Sequence, residues 1–200
     1  EALYFEVLGD TDVAVWNIDV YGLRTLRESA DGGLRLALGL RSGDFDNDFH
    51  GQAGTTDVNG SFFDAASNYD LMLGPLVGIA GDAPLGGGTI RAYIGQSVLF
   101  GTTQLTYMTR DFTGPASDTA PIVGQQASSR TVDVAIPITD LRVNWLRPIS
   151  DRLSLGVAAN ASIWWDVSVP PNVVPAVEQG ASNENTIVFF GIGAAVGFDF

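Results

Sequence analysis

Residues 186–200 read TIVFFGIGAAVGFDF, and this stretch decides how the rest of the chain is interpreted. Every second side chain is apolar, and this set consists of Val188, Phe190, Ile192, Ala194, Val196, Phe198 and Phe200. The intervening side chains are small or polar, with glycine at three positions and Asp199 near the end. Successive side chains of a β-strand point to opposite faces. The period of two therefore predicts a strand whose two faces meet different surroundings.

The composition of the 200-residue chain favours an all-β fold. Hydrophobic residues make up 46% of the chain and charged residues only 16%, yet no stretch offers the roughly 18 consecutive apolar residues of a membrane-spanning helix. The 24 glycines suit closely packed, curved strands and weaken helices. The length predicts one domain over residues 1–200. A longer precursor with further strands before Glu1 is the alternative.

Alternating apolar positions predict eight strands along the chain. They cover residues 2–8, 13–27, 34–41, 68–79, 90–100, 132–145, 153–166 and 186–200. The strand over 34–41 is the clearest, because four leucines alternate strictly with Arg35, Ala37, Gly39 and Arg41. In the strand over 132–145 the apolar positions change phase, which predicts a one-residue β-bulge near Thr139 or Asp140.

The connections between these strands differ in length. A turn is predicted at residues 9–12, and three further short links at 31–33, 81–88 and 147–150. Long polar loops are predicted at 43–67, 108–129 and 167–185. Tight periplasmic turns that alternate with long extracellular loops are typical of outer-membrane barrels. The sequence thus predicts an antiparallel up-and-down transmembrane β-barrel of about eight strands.

Two groups of residues carry a resemblance to known families. The final aromatic Phe200, with Phe198 and the apolar positions before it, resembles the C-terminal assembly signal of bacterial outer-membrane β-barrels such as the small OmpA and OmpX types. Leu34-Arg35-Leu36 with Gly39-Leu40-Arg41, and residues 73–79, resemble strands of the pore-forming family related to the Legionella major outer-membrane protein. This resemblance spans about residues 16–100 and the terminal strand.

The resemblance implies a location in the outer membrane of a Gram-negative bacterium and a porin-like passage for small solutes. It implies contact with outer-membrane lipid and lipopolysaccharide, recognition by the barrel-assembly machinery, and an envelope protein as a further partner. It supplies no catalytic residue and no cofactor. A membrane barrel also requires lipid-facing residues, and Leu36, Leu38, Val157 and Ile163 are predicted to be among them.

Charged residues alternate with the apolar positions and are predicted to line the lumen. They are Asp19, Arg35, Arg41, Asp70, Arg91, Asp133, Arg142 and Asp166. An eight-stranded barrel is only just wide enough for its own side chains, and a buried charge is costly without a partner. We therefore expect a plug of arginine-carboxylate pairs. Additional strands before Glu1 would widen the barrel and let the same residues line a pore.

Catalytic and metal-binding patterns are weak. Asp44, Asp46 and Asp48 could present carboxylates to a hard cation, but the EF-hand loop requires a glycine and a glutamate where this sequence has Phe49 and Thr55. A solvated acidic rim is the default interpretation. The chain has no cysteine, a single histidine, His50, and no Gly-x-Ser-x-Gly motif. It is therefore predicted not to be an enzyme. Its net charge of -13 argues against nucleic acid as a partner.

Three functions remain open from the sequence. The first is a structural or interaction barrel with a filled lumen, the second is a passive channel, and the third is a soluble lipocalin-like barrel with an apolar ligand. The third requires an apolar interior, whereas Arg35 and Arg41 indicate a charged one. Aromatic residues near strand ends suit the membrane interface, and these include Trp16, Tyr69, Trp145, Trp164, Trp165, Phe198 and Phe200.

Overall fold

The structure, a computed structural model, describes residues 5–55, 59–114, 121–167 and 185–198. They form seven strands: β1 (Phe5–Ser29), β2 (Gly32–Thr55), β3 (Asn59–Leu85), β4 (Gly88–Thr113), β5 (Ile122–Pro148), β6 (Leu153–Val167) and β7 (Asn185–Phe198). All seven belong to one sheet in chain order, and each neighbouring pair is antiparallel. The predicted all-β, up-and-down architecture is confirmed. The described residues contain no helix that could carry the chain across a membrane.

The turn predicted at residues 9–12 is wrong, and the two strands predicted on either side of it are a single strand. The described residues therefore form seven strands rather than eight. This segment lies inside β1 and pairs with β2, so that Gly9 is opposite Gly51 and Asp12 is opposite Asp48. The sequence Gly-Asp-Thr-Asp favours a turn locally. In the structure, however, β2 forms a continuous hydrogen-bonded ladder with this segment. Pairing between strands overrides the local turn preference.

Two of the three predicted long loops are mostly strand. β2 and β3 extend through most of residues 43–67, and β4 and β5 extend through most of residues 108–129. An antiparallel sheet can expose one face to water, so a polar sequence does not distinguish a loop from a solvated strand. The third predicted loop, over residues 167–185, lies outside the described residues except at its two ends.

The predicted short links are tight connections. Ala30 and Asp31 join β1 to β2, and residues 149–152 join β5 to β6. Gly86 and Gly87 join β3 to β4 with positive φ angles of 59° and 76°. Positive φ at both central residues is the requirement of a type I′ turn, whose twist matches that of the flanking strands. We call the part of the sheet next to these links the turn half. The part next to the other three connections, β2 to β3, β4 to β5 and β6 to β7, is the loop half.

β5 keeps one alternation of faces along its length, so the bulge predicted near Thr139 and Asp140 is wrong. Its ladder with β4 shows no shift in register near these residues. Ile136, Ile138 and Asp140 are therefore all buried on the same face. The apolar residues change from one face to the other along the strand, whereas the backbone continues without interruption.

The sheet curls until its first strands meet its later strands across the concave face. An Arg142 guanidinium nitrogen of β5 lies 3.0 Å from a carboxylate oxygen of Asp19 in β1. The rings of Phe45 in β2 and Trp164 in β6 are 5.8 Å apart. In a flat sheet, β1 and β5 would be about 19 Å apart, at about 4.8 Å for each strand. The curl therefore encloses an interior, while the outer edges of β1 and β7 remain unpaired among the described residues.

The interior of the loop half is mainly apolar, with Asn47, Ser67 and Thr103 as buried polar side chains. Its buried apolar side chains form a group that we call the apolar cluster: Phe45, Tyr69, Met72, Leu99, Ile136, Ile138, Trp164 and Val167. Full burial of a large apolar side chain contributes about 1.5–3 kcal/mol. The cluster therefore stabilises the curled form of the sheet, since its members come from five strands, β2 to β6.

Candidate functional site

A network of charged side chains fills the middle of the interior, next to the apolar cluster. Arg41 is completely buried, and its Nε and Nη2 donate to the two carboxylate oxygens of Asp19 at 2.6 and 2.8 Å. Its Nη1 donates to Ser97 Oγ at 3.2 Å, and Arg41 also forms an ion pair with Asp140. Arg142 completes the network through Asp19. Two arginines thus balance two aspartates, as buried charges require.

Several charged residues predicted to line the lumen lie together on the concave face. Asp19, Arg41 and Arg142 form the charged network, and Arg35 and Arg91 lie nearer the turns. The sequence reasoning missed two carboxylates. Asp140 was assigned to a bulge that does not form, and Asp82, which is 2.6 Å from Arg35, was assigned to a short link. Strict alternation continued through both positions would have placed them on this face.

Three other residues predicted to line the lumen lie elsewhere. Asp70 is exposed where the register of β3 with β4 shifts. Asp133 is exposed on the convex face, because its neighbours Val132 and Val134 pack inward against buried residues. Asp166 is exposed at a shift in the register of β6 with β7, and its φ is 57°. The prediction assumed apolar residues on the outside along the whole strand, which does not hold in the loop half.

The convex face of the turn half is an exposed apolar surface, which we call the apolar belt. Its most exposed members are Ile18, Val20, Leu38, Leu40, Leu71, Leu73, Val77, Ile79, Ile94, Phe100, Leu141, Val143, Leu155, Val157, Val188, Phe190, Ile192 and Val196. They extend over all seven strands. Soluble monomers rarely expose contiguous apolar patches larger than a few hundred Å². A surface of this extent indicates contact with an apolar medium or partner.

Tryptophans lie near the two borders of the belt. The indole N–H of Trp145 donates to the Leu85 carbonyl oxygen beside a tight turn, and that of Trp165 donates to Thr139 Oγ1 at the other border. The distance between the two borders can be measured along β6, because Val157 lies directly opposite Trp145. From Val157 to Trp165 the strand extends about 26 Å. A strand tilt near 40° would reduce this distance to about 20 Å, comparable with the apolar band of about 25 Å in outer-membrane barrels.

The other aromatic residues of the prediction have separate positions. Trp16 is exposed on the convex face, as an interfacial residue would be. Tyr69 and Trp164 are buried in the apolar cluster instead, so their assignment to the interface is wrong. Phe198 ends β7 opposite Leu153. Its side chain and the whole of Phe200 lie outside the described residues.

The convex face of the loop half is acidic, in contrast to the belt. Asp44, Asp46 and Asp48 follow one another on this face of β2, at intervals of about 7 Å, and Asp12 lies directly opposite Asp48. Burial, together with the charges of Asp44, Asp48 and Asp70, raises the pKa of Asp46. No group of three or more acidic or histidine side chains among the described residues is placed to hold a metal ion.

His50 lies in a shallow depression of about 420 Å³ on the same convex surface. Its Nδ1 is 2.7 Å from Asp64 Oδ1, and Arg110 donates to the other oxygen of Asp64 at 3.1 Å. Within the described part of the chain, His50 is hydrogen-bonded to this carboxylate and to no serine. Ser128 and Ser129 line the same depression.

The pair of His50 and Asp64 leads to a pH-dependent prediction. The hydrogen bond that His50 donates to the Asp64 carboxylate raises the pKa of His50 above 6.5, burial acts in the opposite direction, and the charges of Asp64, Asp48 and Asp12 raise it further. The protonated pair stabilises the fold fully below about pH 6.5, and this contribution is lost as the pH rises through the higher folded-state pKa. For so exposed a pair we expect a loss under about 1 kcal/mol.

Thermal unfolding from pH 5 to 9 would measure this loss. The variant His50→Gln should lose less stability over the same interval, since its side chain does not titrate. An identical pH dependence in the two proteins would contradict the assignment.

These features define an all-β protein with one curled antiparallel sheet, a charged network inside the turn half and an apolar belt outside it. Comparison of the chain with protein-family models, curated proteins and solved structures gives no match. The family resemblances drawn from the sequence therefore stay predictions.

Proposed function

We propose that this chain is an integral protein of the bacterial outer membrane, with a side-chain-filled interior and a structural or partner-binding role rather than an enzymatic one. The observation that carries the proposal is an inversion along the strands. In the turn half the apolar residues lie on the convex face and the charged network lies inside. In the loop half the apolar cluster lies inside and aspartates lie outside.

An aqueous environment accounts for only one half of this arrangement. Water on the convex side explains the loop half, where burial of Phe45 and Trp164 excludes apolar surface from solvent. The same solvent would make the belt strongly unfavourable, since each Å² of exposed apolar surface costs about 25 cal/mol relative to burial. Lipid around the turn half and water around the loop half satisfy both surfaces.

A soluble lipocalin-like barrel fits less well. It needs a polar exterior and an apolar interior along the whole barrel. The turn half has the reverse, with Ile192 exposed by 74% on its exterior and Arg41 completely buried in its interior.

The proposed partners follow from the same surfaces. The apolar belt would contact outer-membrane lipid and lipopolysaccharide, and the barrel-assembly machinery would recognise the segment that contains Phe198 and Phe200. The loop half continues beyond the belt as extended strands. Its acidic exterior would then be available to an envelope protein outside the membrane.

Membrane insertion requires that both sheet edges be paired, because unpaired backbone groups cost several kcal/mol each in hydrocarbon. The outer edges of β1 and β7 are not paired within the described residues. The proposal therefore requires that they pair with each other or with an additional strand in the membrane. Several additional strands would favour the alternative function, a porin-like passive channel, because they would separate the walls that Asp19 and Arg142 now join.

Two measurements on the purified chain test the proposal. After refolding with lipid vesicles, the chain should float with the lipid and resist extraction at high pH, whereas a folded chain that stays soluble without detergent would overturn membrane insertion. In a planar bilayer the filled interior predicts little or no steady conductance. Reproducible channels with an anion preference that falls on Arg41→Ala or Arg35→Ala would favour the pore instead.

A further inference from the structure

A pocket of about 410 Å³ lies on the concave face of the turn half, separate from the buried part of the charged network. Its charged lining consists of Arg35, Asp82, Arg91 and Arg142, and Tyr21 and Tyr93 form aromatic walls. The strand register explains why these residues meet. Arg91 lies directly opposite Asp82, and Tyr93 lies directly opposite Arg142, so side chains from three adjacent strands share one face.

The charges in this pocket do not balance. Arg35 is paired with Asp82 at 2.6 Å, and Arg142 is paired with Asp19 in the network. Arg91 is exposed and has no ion-pair partner among the described residues. A chain of net charge -13 thus presents a positive pocket inside its curled sheet.

The arginines retain donors for a ligand. A guanidinium group carries five N–H donors, and the carboxylates above engage only part of those on Arg35 and Arg142. Arg142 is also oriented by the Tyr93 ring, whose centroid is 5.3 Å from the guanidinium carbon. This cation-π contact holds the arginine at the pocket wall.

The shape of the donor set selects the ligand class. The three guanidinium groups come from three different strands, β2, β4 and β5, and line the same pocket at different positions. A carboxylate has two coplanar oxygens and matches one guanidinium fork, whereas a tetrahedral phosphate presents oxygens to several forks. The pocket is also larger than a phosphate ion. The rings of Tyr21 and Tyr93, stacked with centroids 6.3 Å apart, offer an apolar wall for an attached organic group.

We infer that this pocket binds phosphate monoesters through Arg35, Arg91 and Arg142. The inference concerns the folded sheet and does not rest on the membrane location. Titration calorimetry on the folded full chain in detergent tests it, with phenyl phosphate, inorganic phosphate and benzoate as probes. We expect phenyl phosphate to bind most tightly and benzoate at least about tenfold more weakly, because it lacks the third and fourth oxygens.

The decisive variant is Arg91→Gln, since Arg91 holds no other charged group of the fold in place. Loss of its charge-assisted hydrogen bonds should weaken phenyl phosphate binding at least about tenfold, and Arg91→Lys should have an intermediate affinity. The control is Arg147→Gln, which removes the same charge from the exposed convex side of β5. Unfolding curves of both variants verify that the fold is intact.

Three results would overturn the inference: no binding of phenyl phosphate by the folded chain, equal affinity for benzoate, or an equal loss of affinity in the Arg91 and Arg147 variants. None of them bears on membrane insertion, which the vesicle experiment measures separately. A loss of insertion with intact phosphate binding would contradict the proposed function and leave this inference standing.

Discussion

Replacing Ile192 with arginine is expected to lower the free energy of unfolding from a bilayer by about 2–4 kcal/mol, the cost of a cationic side chain on the lipid face near mid-membrane. Ile192 is 74% exposed and lies in the apolar belt. The neighbouring residue Gly193 lies on the concave face at the same depth, and a Cβ placed there meets no atom within 4 Å. Gly193→Arg should therefore cost far less, because its side chain enters the interior.

A urea titration of folding into lipid vesicles measures both variants. The two substitutions introduce the same charge at adjacent positions of one strand, so their difference isolates the face of the sheet. Equal losses would contradict a lipid-facing belt. Val157→Arg, at a second belt position that is 59% exposed, should reproduce the loss at Ile192.

The structure also changes the choice of control. The residues predicted to face lipid all lie on the convex face: Leu38 and Val157 are exposed members of the belt, and Leu36 and Ile163 pair with the belt residues Ile79 and Val188. From the sequence, Ala37 is the natural site for an inward arginine. It is completely buried, however, and a side chain of that size would overpack the interior. Gly193 avoids this second source of destabilisation.

Replacing Arg41 with alanine is expected to destabilise the fold by about 3–5 kcal/mol, the cost of leaving a buried ion pair without one partner. The Arg41 side chain is completely inaccessible, and the side chains of Asp19 and Asp140 are only 9% and 6% exposed. Without the guanidinium, Asp140 would lose its ion-pair partner and Asp19 would keep only Arg142.

Equilibrium unfolding of the variant in detergent measures this loss. Arg147→Ala is the matched control, since this arginine is exposed on the convex face and should change stability by no more than about 0.5 kcal/mol. Adding Asp140→Asn to Arg41→Ala should recover part of the loss, because it removes the unpaired charge. Equal stability of the Arg41 and Arg147 variants would contradict the role of the network.

The loop half shows where prediction from the sequence fails. Ile136 and Ile138 are as apolar as Leu141 and Val143, and the sequence alone assigned all four to the outside by inserting a bulge between the pairs. In the structure the first pair packs inside and the second lies in the belt. Side chains of β5 alternate between the two faces without interruption. What changes along the strand is which of the two faces carries the apolar residues.

The sequence by itself determined the local properties of the chain. The period of two specifies extended strands because side-chain direction alternates along the backbone, and Gly86 with Gly87 specifies a tight turn because both residues adopt positive φ. The presence of Asp19, Arg41 and Arg142 on one face also follows from alternation, since each lies on the polar side of an amphipathic strand.

Only the tertiary structure decided what each face meets. The curl brings Arg142 to Asp19, 123 residues apart in the chain, and the same curl brings the ring of Trp164 in β6 to 5.8 Å from that of Phe45 in β2. It also makes Asp140 of β5 the partner of Arg41 in β2, whereas Asp82 meets Arg35 on the neighbouring strand. Alternation fixes only that two faces differ. Which face becomes interior depends on contacts between distant strands, and no local pattern encodes them.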